Sequence, residues 1–130
     1  MTKFIRSSAV LTVRDVVKSE AFYREKLGFM PGRFWGEPPC FCIVGRDSVT
    51  ILADQLREPG EIPVNQYWAA YVYVSDVDAF AEEFRNRGGA ILRGPENMPY
   101  GCREFDVRDP DGHIIGIGQD LGPSEKGPGL

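Results

Sequence analysis

The chain has 130 residues, 42% of them hydrophobic and 26% charged, which is enough apolar side chain for one domain with a real core and excludes a disordered or fibrous chain. Its 15 Lys and Arg against 19 Asp and Glu leave a net charge of -4. No nucleic-acid partner is expected, since such binding needs a basic surface to displace counterions.

Met1 to Ser8 holds no apolar run of signal-peptide length, and no stretch approaches the roughly 20 apolar residues of a membrane span, so a cytoplasmic protein without a membrane partner is expected. Ala9-Val-Leu-Thr-Val-Arg-Asp-Val16 is an apolar run of strand length that ends at Asp15, a natural helix N-cap. Val16, Phe22, Tyr23 and Leu27 then follow near helical spacing, and Gly28 marks the stop. Three shorter strand signals come next, at 32–37, 40–45 and 48–54, with Gly45-Arg46-Asp47 as a hairpin turn. Residues 55–66 carry Pro59, Gly60 and Pro63 and read as a linker.

Ala70-Tyr-Val-Tyr-Val-Ser-Asp-Val77 then repeats the opening pattern. Asp76 is the second N-cap, Val77, Phe80, Ala81 and Phe84 give the helical face, and Gly88 ends it. Strands are predicted at 90–93, 101–108 and 113–118, with Asp109-Pro110-Asp111-Gly112 as a turn that also accounts for the neighbouring Asp106. The expected organisation is one domain over 1–120, built from two βαβββ modules at about 6–54 and 67–119, with a flexible tail at 121–130.

Cys40, Cys42 and Cys102 lack zinc-type spacing, and His113 is the sole histidine. The thiols are expected to be reduced packing residues, and His113 a turn-edge imidazole. No nucleophile elbow, metalloprotease helix, phosphate loop or dinucleotide fingerprint occurs. No catalytic residue is therefore assigned.

Val13-Arg-Asp-Val16, Ala21-Phe-Tyr-Arg-Glu-Lys-Leu-Gly-Phe29, Val74-Ser-Asp-Val-Asp-Ala79 and Gly101-Cys-Arg-Glu-Phe-Asp-Val-Arg-Asp-Pro-Asp-Gly112, in this order, resemble the vicinal oxygen chelate superfamily. That family includes glyoxalase I, extradiol dioxygenases, fosfomycin resistance enzymes and bleomycin resistance proteins, and the likeness runs from about Ser8 to Gln119. The resemblance implies an α+β fold of two βαβββ modules whose curved mixed sheets enclose a cavity. It also implies that Ser8, Leu52, Ala69 and Gly116 stand where metal-using members carry histidine or glutamate, so no metal and no cofactor are expected.

Strand alternation from those four positions turns Ser8, Val10, Thr12, Thr50, Leu52, Asp54, Ala69, Tyr71, Tyr73, Ile114, Gly116 and Gly118 toward the cavity. Leu11, Val13, Ile51, Val72, Val74, Ile115 and Ile117 then face the helices. Since Phe105 and Val107 suit the helix side, Glu104 is placed on the cavity side. The expected ligand-binding residues are Trp35, Thr50, Asp54, Trp68, Tyr71, Tyr100 and Glu104, with stacking on an aromatic or cationic small organic molecule. The resemblance is closest to the bleomycin resistance branch and implies a metal-independent homodimer that sequesters an antibiotic or related metabolite. A metal-dependent lyase or dioxygenase with ligands in another register, and a non-catalytic assembly subunit, are the alternatives.

Overall fold

The structure is a computed structural model that describes residues 1–122. Of the expected tail at 121–130, everything from 123 onward lies outside the described residues. The chain divides into two compact units, Met1–Pro63 and a second that begins at Val64.

In the first unit, β1 (Ala9–Val13) leads into α1 (Val16–Leu27), followed by β2 (Arg33–Trp35), β3 (Phe41–Arg46) and β4 (Val49–Gln55). The sheet order is β1-β4-β3-β2, with β1 parallel to β4 and the other pairs antiparallel. The Asp15 carboxylate accepts the amides of Val17 and Lys18, and Gly28 ends the helix at φ 71, the left-handed geometry that glycine adopts without a Cβ penalty. Leu11, Val13, Cys42, Val44, Ile51 and Ala53 form the buried sheet face and pack with Val16, Tyr23 and Leu27 of α1.

The second unit repeats the plan with β5 (Trp68–Tyr73), α2 (Val77–Asn86), β6 (Arg93–Asn97), β7 (Cys102–Arg108) and β8 (Ile114–Asp120), in the order β5-β8-β7-β6. Asp76 caps α2 through the Ala79 amide. The core holds Val77, Ala81, Phe84, Phe105, Val107, Ile115 and Ile117, with Phe105 packed 6.3 Å from both Phe80 and Phe84. Burial of each large side chain contributes about 1.5–3 kcal/mol. The units share one further device: a glutamine on the closing strand, Gln55 or Gln119, accepts the first helical amide, Val16 or Val77, at 3.0 Å.

Three boundaries differ from the sequence expectation. The strand expected at 90–93 lies instead at Arg93–Asn97 and contains Gly94-Pro95. Proline argues against a central strand, but β6 is an edge strand whose ladder shifts register between Arg93 and Glu96, so Pro95 breaks no necessary bond. The cap of α2 is Arg87, with Gly88 following at φ 83. Finally, β4 runs through Gln55 and β5 opens at Trp68, so the interior linker is displaced by one residue to 56–67, and β8 extends to Asp120.

Candidate functional site

The sheet face of the second unit that points away from α2 is built by a bulge. Trp68 pairs with Ile114 and Ala70 with Ile115, leaving Ala69 as an extra residue. Strict alternation would put Trp68 opposite Tyr71, whereas the bulge brings both rings to one face, with centroids 4.8 Å apart. Tyr71 in turn meets Tyr73 at 5.0 Å. Glycine on β8 makes room for these rings. A Cβ on Gly116 would lie 2.7 Å from Trp68 Nε1 and 2.8 Å from Tyr71 Cδ2, and one on Gly118 would collide with the Tyr71 hydroxyl.

Beside the rings lies a buried ionic network. Glu104 is fully buried. Its Oε1 accepts the hydroxyls of Tyr71 at 3.0 Å and Tyr100 at 2.6 Å, and its Oε2 accepts Arg93 at 2.5 Å. Asp106 accepts Trp68 Nε1 at 2.9 Å and Arg93 Nε at 3.1 Å. Arg93 also meets Glu96 at 3.2 Å, so three carboxylates surround one guanidinium. Burial works against the Arg93 charge, but the bonds to Glu104 and Asp106 outweigh it and hold its pKa above the ordinary value. Burial, reinforced by Glu104, likewise raises the Tyr71 and Tyr100 hydroxyls well above theirs, so both remain donors.

Tyr67, Trp68, Asp106 and Ile114 line an open cleft of about 330 Å³, near the lower end of the size range of small-molecule sites. Of the residues expected to bind a ligand, Trp68, Tyr71, Tyr100 and Glu104 are thus joined in one hydrogen-bonded and aromatic cluster. Sequence reasoning missed Arg93 and misassigned Asp106, which it had placed with the turn acids. Asp106 sits two residues from Glu104 on the same strand face, and that period-two spacing was the available signal. His113 stands at the edge of the 109–112 turn, where its amide donates to the Asp109 carboxylate, and it is buried there.

The first unit presents a different open face. Trp35 pairs with Phe41 across β2 and β3, half-exposed, its ring 5.5 Å below the Arg33 guanidinium. The Thr50 hydroxyl is hydrogen-bonded to that of Ser8, and Asp54 meets Arg57 at 3.2 Å in an exposed pair. All three thiols are free; Cys42 and Cys102 are buried, and burial pushes the Cys42 thiol up to about 11. That suits packing and leaves little thiolate for chemistry.

A family model for the Glyoxalase/Bleomycin resistance protein/Dioxygenase superfamily matches residues 6–117. The chain belongs to this superfamily. Superfamily structures resemble it over most of their length. A bleomycin-binding protein from bleomycin-producing Streptomyces verticillus, solved with copper(II)-bleomycin, is 28% identical with a TM-score of 0.69, covering 90% of this chain and 97% of that one. A superfamily member from Sphaerobacter thermophilus is 21% identical with a TM-score of 0.69, covering 91% and 98%. A virulence protein from Salmonella typhimurium shares the fold at 22% identity and a TM-score of 0.69, covering 93% and 100%. No curated protein matches the chain.

A superfamily metal ion does not fit the residues at the expected ligand positions. The space above Gly116 is filled by the Trp68 and Tyr71 rings, Leu52 has no lone pair, Ala69 is the bulge residue, and the Ser8 hydroxyl is tied to Thr50.

Proposed function

We propose that the protein captures a small aromatic molecule without metal chemistry, as a binding protein of the bleomycin resistance kind, and that its physiological role is to sequester an antibiotic or related metabolite. The observation that carries this reading is the cleft beside Trp68. Its indole is held by Asp106 at the edge and by Gly116 and Gly118 beneath its neighbours, so an aromatic wall stands ready before any ligand arrives. Preorganisation of this kind lowers the entropic cost of binding. The similarity to a bleomycin-binding protein supports the same reading.

Capture needs affinity and a pocket, whereas a lyase or dioxygenase needs a metal or a base in reach of substrate. In the first unit, Val10 and Trp35 stand exposed on the open sheet face, and we propose that a second copy of the chain covers them in a homodimer. A thermal-shift screen of antibiotics and aromatic metabolites, with and without divalent metals, tests the function. Stabilisation by at least one aromatic compound, unchanged by chelator, is expected. Stabilisation that requires a metal would overturn the metal-free reading, and the absence of any stabilising compound would overturn capture.

A further inference from the structure

The direction of every fixed hydrogen bond around the cleft carries the argument one step further, on the basis of the binding reading above. The indole N–H of Trp68 points into Asp106. Arg93 is engaged by Asp106 through Nε, by Glu104 through one terminal nitrogen and by Glu96 and the Met98 sulfur through the other. The hydroxyls of Tyr71 and Tyr100 both donate to Glu104. The donors of this network are therefore turned inward, while Arg108 at the end of the strand stays exposed. What remains is acceptor capacity: each Asp106 oxygen receives one hydrogen bond and has a lone pair left, and Asp106 lines the cleft.

Charge acts in the same direction. Glu96, Glu104 and Asp106 outnumber Arg93, and the set still carries a net negative charge when exposed Arg108 is counted, which strand alternation puts on the same face. Aromatic faces of Tyr67 and Trp68 favour a cation further. We infer that the cleft selects a protonated arylalkylamine, with the ammonium nitrogen on Asp106 and the ring against Trp68, and discriminates against aromatic acids of the same shape.

Three probes on one ring system test this on the full chain: tryptamine, the neutral 3-methylindole and indole-3-acetate, measured by calorimetry and thermal shift. Tryptamine is expected to bind at least ten-fold more tightly than indole-3-acetate, with 3-methylindole between them, and its advantage should shrink as salt screens the charge. Asp106→Asn should narrow the ratio between amine and acid, read as a ratio within the variant because the same carboxylate also holds the Trp68 indole. The comparison of probes on the unaltered protein decides the question should that variant fold poorly. Indole-3-acetate binding as well as tryptamine would overturn the selectivity and leave capture standing. Silence of all three probes, alongside a stabilising compound in the antibiotic screen, would show that the cleft is not the site. Silence in both would overturn capture as well.

Discussion

The two units share a topology and differ on one sheet face. The two ladders correspond in register: Arg33 pairs with Ile43, which pairs with Leu52, while Arg93 pairs with Asp106, which pairs with Gly116. An arginine thus stands at the same ladder position in both. In the first unit its neighbours across the strands are apolar, and it lies over Trp35. In the second they are carboxylates, and it becomes the centre of a buried network. The helix-facing sides stay alike, because each must bury Val, Leu, Ile or Phe against one helix for the unit to fold. The opposite face is free of that demand, and there the chemistry diverged.

Removing a carboxylate from each face should break the likeness most. Glu104→Ala leaves Arg93 and two tyrosine hydroxyls without their shared acceptor and is expected to cost about 3 kcal/mol in chemical denaturation. Asp54→Ala removes an exposed pair and should stay within about 0.5 kcal/mol. Equal costs would show that the network contributes no more than a surface ion pair.

Gly116→Ala should come next, at about 1–2 kcal/mol, because the new Cβ forces Trp68 and Tyr71 aside. Its counterpart in the first unit, Leu52→Ala, removes a half-buried side chain without driving any ring from its place. A change in tryptophan emission for Gly116→Ala, but none for Leu52→Ala, is the expected reading.

The smallest effect concerns acid stability in the first unit. Burial opposes the Glu20 charge, yet Arg24 and the Gly32 amide outweigh it and hold its pKa below the ordinary 4.5. A carboxylate lowered on folding contributes stability above its unfolded pKa and loses it as the pH falls through the folded value. Glu20→Gln should therefore flatten the fall in stability below pH 4.5. An unaltered acid limb would remove Glu20 from the account.

Helices, their aspartate caps and the helix-facing strand residues were legible because each depends on local pattern alone: Asp15 and Asp76 before apolar spacing, and Leu11, Val13, Ile115 and Ile117 at period two. Part of the candidate cluster was legible for the same reason, since Glu104 follows from the facing of Phe105 and Val107. What escaped were features that alternation does not encode. The bulge at Ala69 reverses the face of Trp68, the register shift in β6 brings Arg93 over Asp106, and Pro95 disguises an edge strand. Each is a local break in period, and each lies beside the cleft.

The glutamine clamps bear on how the chain folds. Gln55 reaches back 39 residues to Val16, and Gln119 reaches back 42 to Val77, each closing a parallel pairing that no short hairpin can supply. Loop-closure entropy grows only with the logarithm of length, so the two closures differ by well under about 0.1 kcal/mol. Neither unit has a topological head start. The order in which they become native is then set by what each must desolvate: an apolar face collapses readily, whereas Arg93, Glu104 and Asp106 must shed water and find one another at the same moment. The second unit is accordingly expected to be the slower to complete, with its cleft the last part to mature.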